Sequence, residues 1–188
     1  MDKQTQRARA LAARRAMPEV ARTAANGQIC RNLMLLPEVC SARTVFSYLA
    51  TPEEADLSAL HAWLAGRGCR VAFPVTLPEG IMHAFAPAPP WRFERGLLGI
   101  RSPVPEFAEQ VLPAEIDLVL APCVAFDDRC KRLGHGGGYY DRFLPLCENA
   151  RIIGAAFEVQ RMAEIACESL DVPMDAFVTE RGVYRAKK

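Results

Sequence analysis

The residues with the clearest chemical capacity lie in one run, Arg132-Leu-Gly-His-Gly-Gly-Gly-Tyr-Tyr-Asp141. Gly134, Gly136, Gly137 and Gly138 crowd into a few positions there. Glycine has no Cβ and reaches positive φ, so consecutive backbone N–H groups can turn toward one anion. Lys131 and Arg132 stand beside the loop and could neutralise a phosphate. The run separates a strand-like segment, 117–121, from a helix-like pattern starting near Tyr139, and a helix start would add its own free N–H groups. A tight strand-to-helix turn needs fewer glycines than this, so phosphate is the expected ligand. The run is not a Walker A loop, because no Gly-Lys-Ser/Thr ends it, and it lacks the spacing of the dinucleotide fingerprint.

Asp141 falls in the first turn of the expected helix, where a carboxylate already interacts well with the helix dipole. A phosphate in the loop would bring a second anion beside it. Mg²⁺ binds through one or two carboxylates plus phosphate oxygens, so Asp141 becomes a candidate metal ligand if the loop binds phosphate. The seven cysteines include no Cys-x-x-Cys, and His61, His83 and His135 fall near none of them in a zinc pattern. Cys69, Cys123 and Cys147 read as fillers of apolar positions, and the odd count without a secretory signal suggests reduced thiols.

The elements that must hold these groups are spread along the chain. Residues 3–16 form an Ala-rich helix ended before Pro18, with only basic charges, and Lys3 and Arg7 share a face four residues apart. A second helix, 19–36, uses Val20, Ile29, Leu33 and Leu36 as apolar positions and stops at Pro37. Residues 44–48 are β-branched and aromatic, a buried strand. Residues 53–65 follow as a helix with Leu57, Leu60 and Leu64 at helical spacing, ended by Gly66. Short strands are expected at 70–73 and 81–85. Residues 87–113 hold six of the 14 prolines and little periodicity, which suggests a long covering loop. After the glycine run, Tyr140, Phe143, Leu144 and Cys147 mark one helix face that Pro145 should kink, and 152–157 and 176–179 close the chain as strands. Strands alternating with helices predict one α/β domain over residues 1–188, a single mixed or mostly parallel sheet flanked by helices under a proline-rich covering loop.

Composition narrows the function classes. Hydrophobic residues make up 51% and charged ones 24% of the 188, which fits a globular chain and excludes collagen, a disordered tail or a rod. With 23 Lys and Arg against 22 Asp and Glu, the chain has no global attraction to nucleic acid or a membrane surface. No apolar run is long enough to span a bilayer, and the start MDKQTQRARALAARR lacks a secretory core, so a cytoplasmic location is expected.

The glycine run closely resembles the motif of the 5-formyltetrahydrofolate cyclo-ligase (5,10-methenyltetrahydrofolate synthetase) family. The resemblance covers nearly the whole chain. Lys3-x-x-x-Arg7 is similar to the family's ATP-contacting start, and Tyr48-Leu-Ala-Thr-Pro-Glu-Glu-Ala-Asp56 to its folate-contacting segment. Asp117-Leu-Val-Leu-Ala-Pro122, followed by Ala125-Phe-Asp127, resembles the strand and turn before the glycine loop, and DVPMDAFVT from Asp171 resembles the C-terminal segment. The resemblance implies an ATP- and Mg²⁺-dependent ligase. The formyl oxygen of 5-formyltetrahydrofolate takes the γ-phosphoryl group, N10 attacks the activated carbon, and phosphate leaves. It implies ATP contacts at Lys3, Arg7, Arg132, Leu133, Gly134, His135, Gly136, Gly137, Gly138, Tyr139 and Tyr140. It implies folate contacts at Leu49 and Glu54, and Mg²⁺ ligands at Asp141 and Asp171. Such chemistry needs no protein nucleophile, and no catalytic triad stands out.

On the residues alone, Lys3 and Arg7 could be a solvated face, Glu54 a first-turn dipole partner, Leu49 ordinary core and Asp171 a turn cap before Pro173. Two departures from the family stand out: Cys130 where glycine is common, which could reshape that turn, and His135 where the family is often aromatic or basic. The expected partners are a reduced folate and ATP, with no nucleic acid and no membrane, and the chain is expected to act as a monomer. The alternatives are an ATP-binding paralogue acting on another small metabolite, and an RNA-binding module using the basic start. Residues 1–31 hold seven Lys and Arg against two Asp and Glu, but no stacking-aromatic motif accompanies them.

Overall fold

In a computed structural model the described residues are 1–97, 99–166, 168 and 171–186. Cys167 therefore lies outside the described residues. The chain opens with helices α1 (Lys3–Arg15), α2 (Glu19–Met34) and α3 (Pro37–Ser41), then strand β1 (Thr44–Phe46), α4 (Ser58–Gly66), β2 (Arg70–Thr76) and β3 (Met82–Pro87). Strands β4 (Phe93–Arg95), β5 (Arg101–Pro103), β6 (Ala108–Val111), β7 (Leu118–Pro122), β8 (Ala125–Phe126) and β9 (Arg132–Leu133) follow. Helix α5 (Tyr139–Phe143), β10 (Arg151–Ala155), β11 (Ala176–Thr179) and β12 (Gly182–Arg185) complete it.

The main sheet has eight strands in the order β12-β11-β10-β7-β1-β2-β3-β6. Four pairings are parallel, β1 with β2 and β7, and β10 with β7 and β11. The remaining three are antiparallel and lie toward the two edges. Strand order reverses direction at β1 and β7: the chain runs outward from β1 to β2 and β3, and outward the other way from β7 to β10 and β11. An open α/β sheet places its ligand cleft beyond the carboxyl ends of the strands at such a switch point.

Both faces of the sheet are covered, so its central strands are almost continuously apolar. Val45, Val71, Phe73, Leu118 and Leu120 point to the side packed by Ile29 and Leu33 of α2 and Leu60 and Leu64 of α4. Phe46, Ala72, Val119 and Ala121 point to the other side, against Phe143 and Leu144. Each fully buried Leu, Ile or Phe contributes about 1.5–3 kcal/mol. Gly154 on β10 leaves room for a neighbour, because a Cβ there would stand 2.0 Å from the Phe177 ring. That close approach lets Phe177 stack on Phe126 at 4.4 Å.

Several expectations from sequence need correction. The second helix ends at Met34, and Pro37 opens α3 rather than ending a helix, since proline's fixed φ suits a first helical position. Val20 is 83% exposed, because α2 turns that side to solvent. The helix expected over 53–65 begins only at Ser58, and Leu57 is its N-cap. Strand β2 runs on through Pro74 to Thr76. The proline-rich stretch is not a plain loop. It contains the β4–β5 hairpin and β6, a proline-free edge strand of the main sheet that lies between Pro105 and Pro113. The helix after the glycine loop is only α5, followed by a 3₁₀ turn around Pro145. Of the cysteines named as apolar fillers, Cys123 and Cys147 are buried and Cys69 partly so. Burial pushes the Cys123 and Cys147 thiols up to about 12, which removes them from thiolate chemistry.

Candidate active site

The glycine loop is delivered by β7 through a short hairpin, β8–β9, that sequence reasoning did not foresee. Asp127, 1% exposed, builds its turn. Its carboxylate accepts the N–H groups of Arg129, Lys131 and Ile165, which ties the turn to the 164–166 segment. Cys130 sits in this turn with φ at 58°, the left-handed region that favours glycine. The turn thus holds a cysteine in the conformation that glycine adopts most easily. Within the loop, Gly136 and Gly138 have φ of 99° and 68°, so two of its glycines are required by the backbone itself. Gly138 is the N-cap of α5, and five residues of helix add less dipole than the longer helix expected.

The loop stands as a wall between two cavities. One, of about 410 Å³, is closed on its far side by Tyr48, Leu49, Thr51 and Glu54, which follow β1. Pro74 and Thr76 at the end of β2 and Pro122 at the end of β7 line it too, so it opens at the carboxyl ends of the parallel strands. The other, of about 750 Å³, is bordered by Lys3 and Arg7 of α1 and by Glu168 and Asp171. Arg132, Gly134, Gly136, Gly138 and Asp141 line both. His135, Gly137, Tyr139 and Tyr140 border only the Glu54 side, and Leu133 only the Lys3 side. The Leu133 side chain is 2% exposed and packs with Ala10, Val124 and Ile165, which leaves its backbone for any ligand.

Glu54 is not in a helix, so the first-turn dipole role is overturned. It closes a local turn: Glu54 N–H donates to the Thr51 carbonyl at 3.0 Å, and Glu54 Oε2 accepts from Thr51 N–H at 2.9 Å. The spacing Thr51-x-x-Glu54 is the sequence signal for such a turn. Glu54 Oε1 faces His135 Nε2 at 3.5 Å across the cavity. Burial works against its charge, but His135, the Thr51 N–H and Arg14 together outweigh it and hold the carboxyl below its usual range. Leu49 is half-buried at the junction with a more open cavity that shares Thr51, Glu54 and Ile100. Ile100 arrives on the β4–β5 hairpin, and nothing in its local sequence marked it.

On the other side of the wall, Lys3 and Arg7 are not a solvated face. Lys3 Nζ lies 2.8 Å from Asp171 Oδ2, and Arg7 Nε donates to the Gly134 carbonyl at 2.8 Å. Burial works against the Asp171 charge, yet Lys3 and the Glu168 N–H hold this carboxyl below its ordinary range. Asp171 Oδ2 accepts that Glu168 N–H, so the turn-capping role is also real. Arg132 Nη2 donates to Asp141 Oδ1 at 2.9 Å while Nη1 reaches the Pro122 carbonyl. Both candidate metal carboxylates are thus paired with cations and border one cavity. Arg14, two turns beyond Arg7, is 2% exposed on the inner face of α1, which the shared helical spacing of Lys3, Arg7 and Arg14 could have signalled. Among the described residues, Arg14 Nε and Nη1, Arg132 Nε and the Tyr140 hydroxyl are buried without a hydrogen-bond partner.

Fold and site define a class, an α/β protein with a two-sided glycine wall at the switch point of a mostly parallel sheet. Its family follows from comparison with known proteins. Residues 1–180 match the model of the 5-formyltetrahydrofolate cyclo-ligase family. The 5-formyltetrahydrofolate cyclo-ligase of Escherichia coli K12 is 30% identical over 161 residues, covering 84% of this chain and 88% of that one. The enzyme of that name from Mycolicibacterium smegmatis is 33% identical over 152 residues, covering 76% and 77%. The solved structure of Aquifex aeolicus 5,10-methenyltetrahydrofolate synthetase superposes with a TM-score of 0.87 at 29% identity, over 100% of this chain and 94% of that one. The chain belongs to the 5-formyltetrahydrofolate cyclo-ligase family, a family of ligases.

Proposed function

We propose that the chain converts 5-formyltetrahydrofolate to 5,10-methenyltetrahydrofolate with ATP as phosphoryl donor, releasing ADP and phosphate. The observation that carries this reading is the two-sided wall, with a carboxylate acceptor on one face and a Lys3 and Arg7 cavity on the other. The folate occupies the Glu54 side, held by Glu54 and Leu49, and its remainder extends into the adjoining cavity of about 870 Å³. The triphosphate lies on the Lys3 side against Gly134, Gly136 and Gly138. Because these glycines and Arg132 border both cavities, a γ-phosphoryl group can pass between the two ligands without leaving the cradle.

The amide-like formyl carbon is a poor electrophile. Phosphorylating its oxygen supplies a leaving group, so N10 can attack the carbon, the C–O bond breaks, and phosphate departs carrying the formyl oxygen. The protein's share is positioning and charge neutralisation. Arg132 and Lys3 are already charged and aligned on the wall, so they need little reorganisation when phosphate arrives.

Asp141 and Asp171 would hold Mg²⁺. Among the described residues no group of three or more His, Cys, Asp or Glu could hold a metal ion. Two carboxylates beside a phosphate site nevertheless fit Mg²⁺, which takes its other oxygens from phosphate and water. When bound it neutralises charge on the transferred phosphoryl group. Lys3 and Arg132, which pair with these carboxylates in the free chain, are then available to phosphate oxygens.

The test is the ultraviolet absorbance change that accompanies methenyl formation, followed with and without Mg-ATP. Conversion that requires Mg-ATP and yields one ADP per methenyl group is expected. Full turnover without ATP, or none with folded protein and fresh substrate, overturns the assignment.

A further inference from the structure

Tyr140 carries a hydroxyl that no described residue uses. Its ring is fixed on α5, 6.2 Å from the Phe46 ring, with the Arg132 guanidinium 5.2 Å above its face. The side chain borders the Glu54 cavity and not the Lys3 cavity. The hydroxyl itself is buried and has no hydrogen-bond partner among the described residues. Buried hydroxyls are almost always paired, and an orphan calls for a partner that arrives from outside.

We propose that the Tyr140 hydroxyl is a folate-binding donor which, with Glu54 as acceptor, reads the lactam edge of the pterin ring. This rests on the cyclo-ligase reading and deepens it, because the family resemblance places Tyr140 with the ATP contacts. The chemistry of the two groups is complementary. Glu54 is held ionised, so it can only accept, and its Oε1 faces the cavity toward His135. A phenol keeps its proton at neutral pH, so the Tyr140 hydroxyl can donate. Glu54 and Tyr140 both line the same cavity and neither borders the one beside Lys3. A carboxylate beside a phenol matches a ring edge with an N–H beside a C=O. The tetrahydropterin of a reduced folate has that edge, with its ring N–H and amino group next to the C4 oxygen. The phenol would donate to that oxygen and the carboxylate would accept from the neighbouring N–H groups. Adenine carries a comparable donor and acceptor in N6–H and N1, so the two ligands are told apart by measuring each separately.

The experiment uses Tyr140→Phe, which removes the hydroxyl and keeps the ring against Phe46 and Arg132. Equilibrium binding of 5-formyltetrahydrofolate and of Mg-ATP is measured separately on both proteins. The Kd for the folate should rise about three- to tenfold, the cost of one lost hydrogen bond, while the Kd for Mg-ATP stays put. A second probe is a folate analogue with a 4-amino group in place of the C4 oxygen. The wild-type chain should reject it relative to the natural lactam, and Tyr140→Phe should lose much of that discrimination. The melting temperature should be unchanged or slightly raised, since an unpaired buried hydroxyl disappears. An unchanged folate Kd, an equal or larger rise for Mg-ATP, undiminished discrimination, or a drop of several degrees in melting temperature would each overturn the proposal. Failure of the wild-type chain to bind 5-formyltetrahydrofolate would overturn the cyclo-ligase reading, and this proposal with it.

Discussion

Two polar clusters each reach the hairpin that carries the glycine loop, one through Asp128 and one through Arg132, and they are finished differently. In the C-terminal cluster, Glu158 Oε1 accepts from Arg161 Nε at 2.7 Å, and Oε2 accepts from Thr179 Oγ1 and from the Tyr184 hydroxyl. Arg161 Nη1 continues to Asp128, and the Glu158 N–H donates to Glu180. No buried side-chain N or O of this cluster lacks a partner among the described residues. In the site, Arg132 and Tyr140 leave buried polar atoms unpartnered, and Asp141 and Asp171 are held by cations that a phosphate could claim. A closed network ties the turn after β10 to β11 and β12. An open one is a set of contacts waiting for a ligand, and its unpaired groups cost stability that binding returns.

The comparison can be sharpened by breaking each cluster in turn, and the largest effect is expected at Asp141. Asp141→Asn keeps the size and an oxygen for Arg132 but removes the charge. Turnover should fall by about 10²–10³-fold, the scale of losing one preorganised electrostatic contact to a transferring group. The melting temperature should move little, since asparagine keeps an oxygen as acceptor for the buried Arg132 Nη2. Raising Mg²⁺ should restore part of the rate. Normal turnover with a lowered melting temperature would make Asp141 a structural residue only.

Glu54→Ala comes next. Removing an ionised acceptor should weaken folate binding by about 1.5–3 kcal/mol while Mg-ATP binding stays near wild type. Equal weakening of both ligands in parallel titrations would mean that the Thr51–Glu54 turn had collapsed and disturbed the whole wall.

Glu158→Gln should do the opposite of Asp141→Asn. It turns an acceptor into a donor facing the Thr179 and Tyr184 hydroxyls, so stability should fall by about 1–3 kcal/mol with turnover per folded molecule unchanged. Denaturant melts paired with initial rates separate the two, and a rate loss larger than the stability loss would erase the distinction between the clusters.

The smallest expected effect is the pH dependence of the Lys3–Asp171 pair. Asp171 has its folded-state pKa depressed from an ordinary 3.8, so its contribution is present above about pH 4 and is lost as pH falls through the lower folded value. Lys3 is raised from 10.5, so its contribution is full below that value and is lost as pH rises through the higher folded one. Asp171→Asn should therefore cost under about 1 kcal/mol, constant from pH 5 to about 9, and the gap should close on acidification. A gap that widened in acid would contradict the pairing.

Much of the site was legible because its signals are local. The glycine run is visible in consecutive residues, and its chemistry follows from residue type and short spacing. Glu54, Lys3 and Arg7 were marked only by the family resemblance, because on the residues alone they read as a dipole partner and a solvated face. Groups that reach the site through long-range packing left weaker marks. Ile100 arrives on a hairpin whose strands are three residues each and whose flanks are proline-rich, too short for any period to show. Asp127 looks like an ordinary turn aspartate, and only the fold brings Ile165 N–H to its second oxygen at 2.9 Å. Helix α4 starts at Ser58 rather than 53 because residues 51–54 satisfy their own hydrogen bonds in a turn, a competition that helical spacing of leucines cannot reveal. In the fold itself, the apolar strands and helices were legible, and the edge strand β6 was hidden by its short polar sequence between Pro105 and Pro113.

The central claim is that one phosphoryl group crosses the glycine wall to the formyl oxygen of the folate. It is tested most directly by turning over 5-formyltetrahydrofolate whose formyl group carries heavy oxygen, with unlabelled Mg-ATP in ordinary water. Mass analysis of the released phosphate should find one heavy oxygen in each molecule, because the C–O bond breaks after the O–P bond has formed. Phosphate without the label, formed at the same rate as methenyltetrahydrofolate, would contradict it.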